Sequence, residues 1–200
     1  MNAEAFAARF DVSRETLERL ERYVALLRRW NSKINVVAPS TLDAAWERHV
    51  TDSAQIVQHA PRGDWIDLGS GGGFPGLVAS IVGERPVTLI EADTRKAAFL
   101  MQVVRETGAQ ATVRRARIEA VEATAPVISA RALAPLPALL ALVEPKLAPG
   151  GTALLMKGAR WRDELTAAGQ GWHMEVTAHP SLTDPEAAVL AVTDLQRRTA

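Results

Sequence analysis

An α/β fold is what this 200-residue sequence predicts: a mostly parallel sheet wrapped by crossover helices, with a helical extension in front. Three observations point to it. Short apolar runs alternate with helix-length segments from Asp64 onward, and a glycine-crowded turn joins the first run to the first of those helices. The last two apolar runs have no helix-length segment between them. Apolar runs separated by helices indicate strands buried on both faces, the pattern of parallel pairing.

Taken in order, residues from about Ser13 to Trp30 predict one amphipathic helix. Leu17, Leu20, Val24, Leu27 and Trp30 recur at three- and four-residue spacing, Ser13 suits an N-cap and Glu15 the first turn. A loop is expected from Asn31 to Pro39. A second helix is expected from Leu42 to His59, stopped by Pro61 and Gly63. The chain is therefore divided into an extension over residues 1–62 and a core over residues 63–200. Core strands are expected at 64–68, 87–91, 111–115, 126–130 and 151–156, with helices at 75–82, 94–107, 136–147 and 160–168. Trp172–Ala178 and Ala187–Leu195, on either side of Pro180 and Pro185, read as a closing antiparallel pair that brings the strands to seven.

Composition narrows the chemistry. Hydrophobic residues at 48% suit one compact domain with a modest appendage. No apolar run is long enough to span a bilayer, and the start lacks a signal-peptide pattern, so a cytoplasmic protein without membrane contact is expected. With no cysteine, disulfides, thiolate metal sites and cysteine nucleophiles are excluded together, which disfavours methyl transfer to pyrimidine C5. His59, His173 and His179 sit at no ligand spacing, so no metal is expected. Lys+Arg and Asp+Glu both number 23, so nucleic-acid binding would need a local basic patch. The arginines at 28, 29, 114, 115 and 117 read as solvated faces, and Trp46, Trp161 and Trp172 as packing residues. A monomer is expected.

The run from Trp65 to Gly76 reads as a buried strand, a glycine turn and a helix opened by Pro75. Glycine is required where the backbone takes positive φ or presses against a ligand. Strand–glycine loop–helix units bind nucleotide-like ligands. Asp67, two residues before the first glycine, would repel a pyrophosphate and suit a ligand carrying positive charge. S-adenosylmethionine carries an ammonium and a sulfonium, so the loop points to a methyltransferase. Val87–Glu91 ends a second strand in an acid placed to accept hydrogen bonds from ribose hydroxyls. Asp67 and Glu91 would then frame the two ends of one ligand. The same glycines also satisfy the GxGxxG dinucleotide fingerprint. A nicotinamide-dependent oxidoreductase is thus an alternative, against which Asp67 and the paired tail strands argue, and a plain structural turn is the other.

Further segments carry a resemblance. Trp30-Asn31-Ser32-Lys33-Ile34-Asn35, Arg48-His49-Val50-Thr51-Asp52-Ser53, the Asp67–Gly76 loop, Arg95-Lys96-Ala97-Ala98-Phe99-Leu100, Ser129-Ala130-Arg131-Ala132 and Met156-Lys157-Gly158 occur in order over most of the chain. In these the chain resembles the RsmG (GidB) family of bacterial methyltransferases of small-subunit ribosomal RNA. The resemblance implies a Rossmann-like seven-stranded S-adenosylmethionine-dependent methyltransferase core with an N-terminal helical extension. It implies methyl transfer to N7 of a guanine in 16S rRNA, in the loop near nucleotide 527, with 16S rRNA or a small-subunit particle as partner. Carried over by position, Asp67, Gly69, Ser70, Gly71, Gly73 and Phe74 would form the cofactor loop and Glu91 would hold the ribose. Ile118 and Glu119 would sit near the adenine. Arg131 would reach both cofactor and substrate as the candidate catalytic residue. Asn31, Lys33, Asn35, His49 and Asp52 would shape the wall over the guanine, and Lys157 would meet phosphate. From spacing alone, His49 and Asp52 read rather as a polar network locking the N-terminal helices onto the core. Ile118 and Val36-Val37 depart from the alanine and Leu-Thr common in the family.

Guanine N7 has a lone pair and no proton, so its methylation needs no general base. The lack of cysteine and of a base–nucleophile pair agrees with that. Transfer to an exocyclic amine would show an Asn/Asp-Pro-Pro-aromatic run where this chain has Ser129-Ala130-Arg131-Ala132. A non-catalytic ribosome-assembly factor, and a methyltransferase acting on a small molecule or protein, are the remaining alternatives.

Overall fold

The computed structural model describes residues 1–198. Its strands are β1 (Trp65–Leu68), β2 (Val87–Ile90), β3 (Ala111–Arg114), β4 (Ala125–Arg131), β5 (Leu147–Lys157), β6 (Trp172–Pro180) and β7 (Ala188–Arg197). They form one sheet in the order β3-β2-β1-β4-β5-β7-β6. The first five are parallel. β7 inserts antiparallel between β5 and β6, with Leu190 opposite Leu155 and Ala178. The closing pair is therefore the one expected from the sequence. Because β1 neighbours both β2 and β4, connections leave its carboxyl end in opposite directions, which opens a crevice there.

Helices cover both faces: α1 (Ala3–Phe10), α2 (Arg14–Asn31), the short α3 (Asp52–Ala54), α4 (Gly76–Gly83), α5 (Thr94–Thr107), α6 (Leu136–Val143) and α7 (Trp161–Ala168). Alternation along β1 sends Ile66 and Leu68 to one face, where Leu136 and Leu140 of α6 meet them. Trp65 goes to the other, into the cluster that also holds Tyr23, Leu27, Leu77 and Phe99. Asp67 shares Trp65's face, so a carboxylate stands at the edge of an apolar layer.

α2 follows the expected helix closely, and the Ser13 hydroxyl accepts from Thr16 N–H at 3.1 Å. Arg19 and Arg22 donate to the carbonyls of Thr107, Gly108 and Glu106, capping the C-terminal end of α5 and fixing α2 against it. α1 has no counterpart among the sequence expectations. It is two turns long, capped by Asn2, and buries one side chain, Phe6, against Phe10 and Trp46.

The helix expected over 42–59 is corrected. Residues 46–51 form a π-helical turn, followed by α3 and a 3-10 turn over Gln55–His59. The physical reason lies in the hydrogen bonds. An α-helix would give the Arg48 carbonyl to Asp52 N–H, but Asp52 N–H goes to the Glu47 and His49 carbonyls. The Arg48 carbonyl instead accepts from the Arg131 side chain at 2.9 Å. The helix expected over 136–147 ends at Val143, because Pro145 lacks the N–H to continue it and Glu144–Lys146 close as a 3-10 turn.

Tyr23, fully buried on α2, donates its hydroxyl to the Gly72 carbonyl and stacks on Phe74 at 5.2 Å. Gly73 lies beneath it at φ +89°, where a Cβ would stand 2.5 Å from Tyr23 Oη and 3.0 Å from Leu77 and Leu100. Backbone strain and overpacking together predict that Gly73→Ala destabilises the fold by about 2–4 kcal/mol in denaturant unfolding. A loss below about 1 kcal/mol would contradict this packing.

Candidate active site

The loop between β1 and α4 is held from three sides. Ser70 N–H donates to the Ile90 carbonyl at 2.9 Å, tying the loop to β2. Glu91, just past β2, accepts Gly71 N–H at 2.8 Å on one oxygen and Asp93 N–H at 2.7 Å on the other. From the helical side comes Tyr23. Each Glu91 oxygen keeps a second lone pair for a ligand hydroxyl.

Asp67 lies under this loop rather than on a cavity wall. Its Oδ1 accepts from the Ser129 hydroxyl at 2.6 Å, which in turn accepts from Trp65 Nε1 at 2.8 Å, while Oδ2 has no hydrogen-bond partner among the described residues. Gly76 leaves room for it: a Cβ there would be 2.7 Å from the Asp67 carboxyl carbon. Burial pushes the Asp67 carboxyl up to about 6, partly offset by the Ser129 hydrogen bond.

Two cavities meet at the carboxyl edge of the sheet. One, about 560 Å³, is lined by Gly69, Gly71, Phe74, Glu91, Ile118 and Glu119 among others. The second, about 350 Å³, is lined by Asp52, Gln55, Lys157, Thr183 and Asp184 among others. Thr41, His49, Arg131 and Ala132 line both and form the partition between them.

Arg131, the last residue of β4, dominates the partition. Its Nη1 donates to the Arg48 carbonyl at 2.9 Å and to Asp52 Oδ2 at 3.0 Å, and its Nη2 lies 3.0 Å from His49 Nδ1. The guanidinium also sits 5.1 Å over the Phe74 ring. A guanidinium only donates, so His49 Nδ1 accepts and the imidazole proton is on Nε2. That N–H faces Thr41 Oγ1 at 2.8 Å, and Thr41 donates onward to the Ala38 carbonyl at 2.7 Å. The chain of donors thus runs one way, from Arg131 to the loop before residue 41. Burial, with Arg131 and Arg48 beside it, lowers His49 to about 4. The ring is neutral at ordinary pH and stacks on Phe74 at 4.9 Å. Of five guanidinium N–H groups, Nε–H and one Nη2–H find no acceptor among the described residues.

Most residues expected at the site do gather here. Gly69, Ser70, Gly71, Phe74, Glu91, Ile118, Glu119 and Arg131 line the larger cavity, whereas Gly73 packs behind it under Tyr23. His49 and Asp52 join Arg131. Lys157 lines the smaller cavity, yet its Nζ is held by Glu164 at 2.6 Å and the Ala134 carbonyl at 2.9 Å, so it is no free cation. Asn31 is buried and accepts Val37 N–H at 2.9 Å, shaping the 31–37 loop rather than lining a cavity. Lys33 lies in a separate depression with Arg29 and Trp30, and exposed Asn35 lines neither cavity. Tyr23, Thr41, Gln55 and Thr183 are not legible in the sequence. None carries a motif; Tyr23, Gln55 and Thr183 act through contacts distant in the chain, while Thr41 meets His49 only through the fold of the 38–49 segment. Among the described residues no three His, Asp or Glu side chains gather as a metal site, and no helix is long and apolar enough to cross a membrane.

A glycine loop over the switch point, an acid after β2 and an antiparallel seventh strand define an S-adenosylmethionine-dependent methyltransferase. The residues suit that cofactor: Glu91 has lone pairs for ribose hydroxyls and Ile118 lines the cavity with an apolar side chain. Asp67, expected from the sequence to bind the cofactor, is instead fully buried behind the loop and does not line the cavity. The fold is similar to the glycopeptide N-methyltransferase MtfA complexed with S-adenosyl-L-homocysteine (TM-score 0.61, 13% identity, 72% of this chain and 89% of that one). It is also similar to a TehB-like SAM-dependent methyltransferase from Corynebacterium glutamicum (TM-score 0.57, 21% identity, 89% and 99%). The chain belongs to the GidB family, rRNA small subunit methyltransferase G, whose model matches residues 16–189. A Rhodospirillum centenum protein named "Ribosomal RNA small subunit methyltransferase G" is 54% identical over 199 residues, covering 98% of this chain and 92% of its own.

Asp67 titrates near 6 when folded and near the ordinary carboxylate value when unfolded. Between those limits the native state holds the extra proton, so stability falls as pH rises, by a total on the order of 2–3 kcal/mol. Asp67→Asn removes that dependence. Its stability relative to wild type is expected to be about 1 kcal/mol more favourable at about pH 8 than at about pH 5 in urea unfolding. An equal difference at both pH values would contradict the buried carboxyl.

Proposed function

We propose that this protein transfers the methyl group of S-adenosylmethionine to N7 of a guanine in 16S rRNA, in the loop near nucleotide 527. The observation that carries the reading is the partition at Arg131, with a cavity suited to the cofactor on one side and a second cavity on the other. When bound, the cofactor supplies an electrophilic methyl carbon on a cationic sulfur. Glu91 would accept from its ribose hydroxyls, Ile118 and Glu119 would flank the adenine, and the backbone of Gly69, Ser70 and Gly71 would meet the amino-acid end.

The nucleophile needs alignment and exclusion of water, not deprotonation. His49, neutral and with its lone pair occupied by Arg131, is a wall and not a base. Arg131 keeps two donors, Nε–H and one Nη2–H. A fork from these across O6 and N7, a common way for arginine to hold guanine, would occupy the lone pair that must attack. Arg131 therefore serves O6 alone or an adjacent phosphate. Residues 1–62 act as an extension that completes the site, supplying Val36, Thr41, His49 and Asp52. The partner is 16S rRNA or a small-subunit particle, met in the cytoplasm by a monomer. The name of the Rhodospirillum centenum relative supports the substrate class.

The test is incorporation of labelled methyl from S-adenosylmethionine into 16S rRNA transcribed with guanosine or with 7-deazaguanosine. Label in the first and none in the second is expected. Equal label in both, or none in the first either as naked RNA or in a small-subunit particle, would refute the assignment.

A further inference from the structure

The segment joining β6 to β7 is pinned to residues 52–55, more than 120 positions earlier in the chain, by one buried side chain. Gln55 is 2% exposed. Its Oε1 accepts Leu182 N–H at 2.8 Å, which fixes the amide orientation and turns Nε2 toward Asp52. Nε2 then donates to the Asp52 carbonyl at 2.8 Å and to Asp52 Oδ1 at 2.9 Å, and lies 3.3 Å from Ser181 Oγ. Thr183 Oγ1 donates to the same Oδ1 at 2.8 Å. Oδ1 is thus held by Gln55 and, from the β6–β7 side, by Thr183, while Oδ2 accepts from Arg131 at 3.0 Å. One carboxylate ties the tail hairpin to the guanidinium in the partition.

We propose that the smaller cavity receives the target guanine base, and that Gln55 and Thr183 are positioning residues which set its outer wall and, through Asp52, the pose of Arg131. The inference rests on the reading of the protein as a guanine-N7 methyltransferase. Three features favour it over a purely structural clamp. The segment that Gln55 holds contributes Ser181, Thr183 and Asp184 to the cavity wall. The clamp ends on the Asp52 carboxylate, which bonds Arg131, not on an apolar surface that would hold a loop as well. Buried polar networks are costly unless every member is satisfied, and here each oxygen of Asp52 has a donor. A base presented in such a cavity must leave its stack, so the wall that receives it has to be in place beforehand.

Thr183→Val removes only the hydroxyl, in a half-buried loop, and Thr183→Ser restores it. Gln55→Leu removes the amide. Steady-state methylation of 16S rRNA and calorimetric affinity for S-adenosylhomocysteine would be measured for all three. Thr183→Val is expected to lower kcat about ten-fold. KM for RNA and cofactor affinity should stay within about two-fold, because phosphate contacts supply most of the affinity of proteins for nucleic acid and Thr183 carries no charge to make one. Thr183→Ser should recover most of the rate, and Gln55→Leu should lose at least as much as Thr183→Val. Wild-type rates in Thr183→Val, equal loss in the serine variant, or parallel loss of cofactor affinity would overturn the proposal, whatever the folding of Gln55→Leu. Absence of transfer by the wild-type protein would instead overturn the guanine-N7 reading and this inference with it.

Discussion

The interaction on which the rest of the site depends is the tether of Arg131. It leaves the end of β4 and takes the Arg48 carbonyl, the Asp52 carboxylate and the His49 ring together, with its side chain only 17% exposed. That explains two features at once. The helix over residues 46–51 is widened because one of its carbonyls is committed to a side chain from the sheet. The N-terminal segment is also fixed over the crevice by charge-assisted hydrogen bonds, which are stronger than neutral ones. Removing the guanidinium would leave a carbonyl, a carboxylate oxygen and an imidazole nitrogen in search of donors.

A second constraint works from below. The glycine loop is compressed between Tyr23 and Asp67, and glycine is required at two points for different reasons. At Gly73 the phenol of Tyr23 and the side chains of Leu77 and Leu100 fill the space; at Gly76 the carboxyl of Asp67 does. The Tyr23, Phe74 and His49 rings form a stack that carries this pressure to the partition, at 5.2 and 4.9 Å between successive rings. The loop, the aromatic stack and Arg131 therefore share one rigid arrangement, and shape at the cofactor cavity is coupled to shape at its neighbour.

Much of this was legible in the sequence where local rules apply. The helix from Ser13, the βα alternation and the paired tail strands follow from periodicity and turn residues. The glycine loop, Glu91 and Arg131 follow from ordered motifs. What was not legible depends on contacts between distant segments. The break in the 42–59 helix is made by Arg131, some eighty positions away, and nothing local to Trp46–Thr51 announces it. Asn31 and Lys33 share a motif, yet only the fold shows one turned inward to hold Val37 and the other out toward Arg29. Lys157 read as a phosphate-binding cation, and its partner Glu164 is on the following helix. Thr183 and Gln55 carry no motif at all.

Beyond tethering Arg48, His49 and Asp52, Arg131 is proposed to act on the reacting partners from the wall between the two cavities, not by holding the cofactor. The most direct test compares wild type with Arg131→Lys, which keeps the charge and loses the planar fork. Single-turnover methylation of 16S rRNA would be measured beside affinity for S-adenosylhomocysteine. Arg131→Lys is expected to lower the transfer rate by about 100-fold or more, with cofactor affinity within about three-fold of wild type. A rate close to wild type, or a matching collapse of cofactor affinity, would contradict it.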